Sequence, residues 1–230
     1  MPANLSRLAS LALILVAFTP PVVAEVAVAA SLEWVACDAQ LIVLGKLKST
    51  TRSQGPQQVV YEEGKIRVDE VLKGEYSKRE LKFVDRRLAT QDSRLKSIDG
   101  QRQVLFFLSK SAEHGPESRL NGRYVPTPIR GVGNAIVDLA EPPSAIYSKD
   151  LRRLTSKEEI LDRTRRWAKA EVENARTIDV PTDSPLFREL WQGSSVLMLV
   201  PDEEPPRQDS ALNAGHKQLW AATSVSEPIV

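Results

Sequence analysis

The stretch Leu41-Ile42-Val43-Leu44-Gly45-Lys46-Leu47 decides how this chain is read. A strand with one face in water alternates apolar and polar residues, because successive side chains point to opposite faces. Here the first four positions are all aliphatic. That pattern belongs to a strand covered on both faces at its start. Val104-Leu105-Phe106-Phe107-Leu108, introduced by Gly100-Gln101, reads the same way and is the most apolar strand candidate, so it is placed at the centre of a sheet.

Working outward from Leu41, Ser31 is a helix N-cap, and Leu32, Val35, Ala36 and Ala39 recur at helical spacing behind it. Residues 49–58 are polar, contain Gly55-Pro56 and read as a loop. Val59-Val60-Tyr61 and Lys65-Ile66-Arg67-Val68 are strand candidates. The alternation slips at Asp69-Glu70-Val71-Leu72, where a β-bulge would restore its phase. Glu80-Leu81-Lys82-Phe83-Val84 is a third strand. Residues 85–99 carry no sustained apolar period and read as a long exposed loop. Asn121-Gly122 is the preferred dipeptide of a type I′ turn, with a short strand at Tyr124-Val125 beyond it. Ala135 to Leu139 is another strand.

Further along, Thr155-Ser156-Lys157-Glu158-Glu159 is a capping-box signature, paired as Thr155/Glu158 or Ser156/Glu159. Ile160, Leu161, Thr164, Trp167, Ala168 and Val172 follow on one face and predict a helix over 156–175. Thr177 to Pro181 reads as a short strand, Pro185 as the first turn of a helix, and Val196 to Pro201 as a buried strand. Ser210 to Ala222 is read as a last helix. The expected architecture is α+β: a small OB-like antiparallel β-barrel over 31–147, a capped amphipathic helix within 148–176, and a small C-terminal α/β segment over 177–230.

The first 30 residues read as a secretory leader. Arg7 supplies the positive n-region, Leu8 to Phe18 the uncharged apolar run, and Pro20-Pro21 stop it. Small residues allow cleavage after Ala24, Ala29 or Ala30, and the fresh pattern opening at Ser31 favours Ala29 or Ala30. The apolar run is about half the length a spanning helix needs, so no stable membrane span is expected after processing. The implied compartment is outside the cytoplasm: secreted, periplasmic or cell envelope.

Hydrophobic residues make up 42% and charged residues 27%, an ordinary globular balance. A formal net charge of +1 gives no global pull toward nucleic acid or membrane. A single cysteine, Cys37, allows no internal disulfide, so a packed core must hold the fold, with Cys37 as a small buried residue.

The segments ACDAQLIVLGKLKS (36–49), KIRVDEVLKGE (65–75), ELKFVD (80–85) and GQRQVLFFL (100–108) stand in an order that resembles netrin-type modules, the OB-like barrel of tissue inhibitors of metalloproteinases. The resemblance covers about a third of the chain. It implies the barrel, and it carries no functional residue across: such modules usually hold several disulfides, and the inhibitors chelate zinc through an N-terminal cysteine that Cys37 does not match. The chain also resembles small exported bacterial proteins that follow such a barrel with a "TKEEIL"-like helix (here 155–161) and a "DSPLF-x-x-LW-x-GS" segment (here 183–194).

No catalytic constellation stands out. His114 and His216 are the only histidines, far apart in polar surroundings, too few with Cys37 for a zinc site. Gly193-Ser194-Ser195 lacks the nucleophile-elbow spacing, and Gly131-Val132-Gly133 lacks the third glycine of a dinucleotide loop. No cofactor is expected. Glu62-Glu63 and Asp69-Glu70 read as surface charge, since neighbours on a strand diverge. Lys78, Arg79, Lys82, Arg86, Arg87, Arg94, Lys96 and Arg102 cluster around the 85–99 loop, and a second basic cluster flanks or lies on the main helix. In the helix, Glu159/Arg163 and Asp162/Arg166 neutralise much of the charge as i,i+4 pairs. In the loop, Arg86, Arg87, Arg94 and Lys96 form the candidate surface for an anionic partner, an acidic glycan or an envelope protein. The leading function is a non-enzymatic exported binding module. A carboxylate hydrolase and a protease inhibitor are the alternatives. Nucleic acid is not expected, because aromatics are only 6% and the chain is read as exported.

Overall fold

The computed structural model describes residues 26–203 apart from 92, 94, 99, 113–118, 128–134, 140–145, 171, 173 and 191–194. In chain order the elements are β1 (Val26–Ala30), α1 (Leu32–Asp38), β2 (Leu41–Gln54), β3 (Val59–Lys73), β4 (Glu80–Leu88), β5 (Val104–Lys110), β6 (Tyr124–Pro126), β7 (Ile136–Asp138), α2 (Lys157–Ala168), β8 (Ala175–Asp179), α3 (Pro185–Leu190) and β9 (Ser195–Pro201).

Strands β2 to β6 close into a five-stranded barrel in the order β2-β3-β4-β6-β5, with β5 returning to pair β2 over Leu41–Gly45 and Val104–Leu108. This is the small barrel with α additions read from the sequence. It is mixed rather than wholly antiparallel, because β4 and β6 run parallel at Phe83 and Tyr124. β7 shares with β6 the edge of β5 that β2 leaves open.

The unbroken apolar runs have the reason expected of them. Leu41, Val43, Leu47, Val104, Phe106 and Leu108 fill the barrel interior with Ile66, Leu81 and Phe83. Ile42, Leu44, Leu105 and Phe107 point the other way, under α1 and α2, against Val35, Ala36, Ile160, Leu161 and Trp167. Gly64 faces Phe83 across β3 and β4, and the Phe83 ring occupies the space a side chain there would need. The slip predicted at 69–72 appears as irregular β2–β3 register between Ile42/Val43 and Leu44/Gly45.

The caps also match. The Ser31 hydroxyl accepts from the Trp34 N–H, and the Ser156 hydroxyl accepts from the Glu159 N–H. Ser156 rather than Thr155 is the cap. α2 ends at Ala168, several residues short of the predicted 175.

Four expectations need correction. Residues 49–58, read as a loop, extend β2 and β3 into a long hairpin whose turn is only 55–58. Residues 85–88, read as the start of an exposed loop, complete β4, and Leu95 from the remainder is buried in the barrel core. At the Asn121-Gly122 turn only Gly122 has positive φ (66°), so the turn is not type I′, which requires it at both residues. Val26–Ala30, assigned to the leader, is strand β1. It pairs parallel to β9 in a second sheet of order β1-β9-β8.

That sheet has its own core of Ala29, Tyr147, Val180, Leu186, Val196, Met198 and Val200. It is tied to the barrel side by the Ser31 N–H donating to Leu199 O (3.0 Å) and the Leu32 N–H donating to Tyr147 O (2.9 Å). Among the described residues no helix is long and apolar enough to cross a membrane. The predicted helix at 210–222, the glycines at 131 and 133, and both histidines lie outside the described residues.

Candidate functional site

The candidate surface Arg86, Arg87, Arg94 and Lys96 does not form one patch. Adjacent residues of a strand face opposite ways, and β4 sends Arg86 outward and Arg87 inward. Arg87 is 8% exposed, on the inner face of the sheet with Glu62 and Asp85, which are 3% and 7% exposed. Its Nη2 lies 2.9 Å from Glu62 Oε2, and its Nε 3.5 Å from Asp85 Oδ2. The Ser93 hydroxyl donates to the same Glu62 oxygen at 2.8 Å. Lys96 is exposed on the following connection, where its N–H donates to Ser93 Oγ. Arg94 lies outside the described residues.

Glu62 is therefore not surface charge as read. The inner face of β3 and β4 runs Ile66, Gly64, Glu62 and Leu81, Phe83, Asp85, so the apolar interior ends in an ionic group at one mouth of the barrel. Two carboxylates converge there, with the guanidinium between them. A buried Arg held by two acids is structural chemistry: separating any partner would leave a charge out of water.

The other basic residues sort into two sets. On α2, Arg163 pairs with Glu159 at i,i+4 (3.1 Å) and with Glu33 of α1 (2.6 Å), while Asp162 sits 3.8 Å from Arg165. Arg152 also pairs with Glu159, and Arg165 with Glu70 (3.0 Å). Glu33 is fully buried. Desolvation pushes its carboxyl above the usual range, and the Arg163 guanidinium and the Lys149 N–H (2.8 Å) oppose that rise. The helix cluster is thus largely consumed in holding α1, α2 and their surroundings together.

The second set gathers on the outer face of β3 and β4. Lys65, Tyr76, Lys78, Glu80, Leu81, Lys82, Val84, Gly122, Arg123 and Tyr124 line an open cleft of about 450 Å³. Four of these are cations and one is a carboxylate. Lys65 and Lys82 stand directly opposite each other across the strands, an arrangement that costs stability unless compensated. Glu80 compensates Lys65 at 2.6 Å, and Glu63 compensates Lys82 at 3.6 Å and Arg123 at 2.7 Å. Tyr76 and Tyr124 meet edge to face with ring centroids 6.4 Å apart, and the Tyr76 hydroxyl is anchored on Glu80 O at 2.5 Å. Beside the cleft, Arg119 lies over the Tyr61 ring at 5.5 Å.

A further open cleft of about 660 Å³ holds Arg86 with Asp38, Asp85 and Lys110 in its lining, so opposite charges are balanced there. Cys37 is half-buried, its thiol pushed up to about 11 by desolvation and donating to Trp167 O at 3.6 Å; it stays protonated at neutral pH. Lys73 caps α1 through the Ala36 and Cys37 carbonyls, at 3.0 and 2.5 Å. Among the described residues no three His, Cys, Asp or Glu side chains are placed to hold a metal ion.

Lys78 and Lys82 belong to the loop cluster noted in the sequence. Tyr76, Tyr124, Lys65 and Arg123 were not singled out as site residues. Only the pairing of β4 with β6 brings Tyr124 to Phe83, and no local pattern encodes that contact. Compared with models of protein families the chain matches none, and it matches no curated protein.

Proposed function

We propose that the chain is an exported, non-enzymatic binding module that holds an acidic glycan on the outer face of β3 and β4. The observation carrying this reading is the cleft that sets Lys65, Lys78, Lys82 and Arg123 beside the Tyr76–Tyr124 pair. Cations supply attraction to carboxylate or sulfate groups, and tyrosine edges and faces supply apolar contact for sugar rings. The placement supports it too. Five-stranded OB-type barrels take oligosaccharides and oligonucleotides on their second and third strands and on the loop between the last two. Here those are β3, β4 and the β5–β6 connection that contributes Gly122 and Arg123. The netrin-type resemblance and the leader belong to the same proposal, and export favours a glycan over nucleic acid.

The hydrolase alternative draws on the convergence of Glu62 and Asp85, but Arg87 between them engages their charge internally.

The test is titration of the chain with a polyuronate and, in parallel, with a neutral glycan of similar length. The polyuronate is expected to bind with affinity that falls as salt rises. The K78E/K82E double variant is expected to weaken that binding at least about tenfold, or ~1.4 kcal/mol, with unchanged thermal stability. Equal binding of the neutral glycan, or an unaffected double variant, would remove the cleft as the site. Capture of an envelope protein instead, with no glycan bound, would replace the ligand.

A further inference from the structure

We infer that the leader is removed by hydrolysis of the Ala24–Glu25 peptide bond, so that β1 opens the mature chain. The inference rests on the export reading above and selects among the three cuts that small residues permit. Water adds across the bond in the active site of a leader peptidase, leaving a carboxylate on Ala24 and an amine on Glu25. Val22 and Ala24 supply the side chains at −3 and −1.

The sheet register separates the three positions. β1 pairs with β9 from Val26/Ser195 through Ala30/Leu199. A cut after Ala30 removes all five of those pairs and strips the buried Val196 and Met198 of the strand that lies beside them. It would also place the new ammonium on Ser31, which is 0% exposed, hydrogen-bonded through its N–H to Leu199 O and capping α1 through its hydroxyl. A cut after Ala29 leaves only the Ala30/Leu199 pair and puts the charge on Ala30, 9% exposed. A cut after Ala24 keeps every pair, and the strand then begins at its own exposed end, where Val26 is 47% exposed.

The experiment is to express the full chain in a bacterial host with a general secretion pathway, recover the exported form, and determine its N-terminal sequence and intact mass. The expected sequence is Glu-Val-Ala-Val-Ala-Ala. A start at Ala30 or Ser31 would overturn the inference and leave export standing. A full-length chain retained in the cytosol would overturn both. A companion variant, Ala24→Arg, is expected to lower the processed fraction at least tenfold although Ala29 and Ala30 remain. Unchanged processing of that variant would also overturn the assignment.

Discussion

Arg87 lies between Glu62 and Asp85 on the inner face of the barrel, so removing its guanidinium takes the counter-charge from Glu62, which is 3% exposed. Arg87→Ala is expected to cost about 3–5 kcal/mol, the penalty of breaking a buried pair. Arg86→Ala, one position away on the exposed face, should stay within about 0.5 kcal/mol. Urea midpoints of the two variants check this directly. Glu33 gives a pH signature of definite sign. Its folded carboxyl titrates above 4.5 because burial dominates. The folded chain therefore holds that proton more tightly than the unfolded one, and the linked stability is present at low pH and lost as pH rises above 4.5 toward the folded value. Glu33→Gln removes this term, so the stability difference, wild type minus variant, should decline on going from acid toward neutrality; a difference that grows with pH would refute it. The caps at Ser31 and Ser156 were legible because capping is local chemistry. The burial of Glu62 and Arg87 was not: a charged residue in a strand announces nothing about its partner, which here comes from the adjacent strand.

At the level of elements, α2 shows how much a cap and one apolar face define. Ser156 accepts from the Glu159 N–H, and Ile160, Leu161, Thr164 and Trp167 are buried along one side. Ser156→Ala should cost about 1 kcal/mol by chemical denaturation. An effect near zero would mean that the Glu159 contacts to Arg152 and Arg163 hold the first turn without the cap. Strands β2 and β5 were readable because both faces are covered. The outer half of the β2–β3 hairpin was not readable: β2 is exposed from Lys48 to Gln54, so no apolar alternation marks it, and cross-strand hydrogen bonding alone shapes it. The cleft was half legible. Lys78 and Lys82 stood out as part of a basic cluster, whereas Lys65 and Arg123 did not, and the tyrosines come from β6 and the β3–β4 connection and meet only through tertiary pairing.

Across the whole molecule, the barrel, the helical layer and the second sheet share hydrogen bonds and side chains. Leu199 of β9 packs against the helical core, and the Tyr147 hydroxyl donates to Glu189, which also pairs with Arg153 at 2.9 Å. Thermal unfolding followed by tryptophan fluorescence and by far-ultraviolet dichroism is expected to give coincident single transitions. Two separated transitions would show that the β1-β9-β8 sheet melts on its own. The barrel was foreseeable from local patterns. The β1–β9 pairing was not, since nothing in five small apolar residues points to a partner at the far end of the chain. That pairing has a kinetic side. Contacts between distant segments carry the largest loop-closure cost and form late. On a ribosome the first strand to emerge finds its neighbour only when residues 195–201 have been made. Until then the second sheet stays unassembled, while the barrel strands, all made earlier, already have their partners.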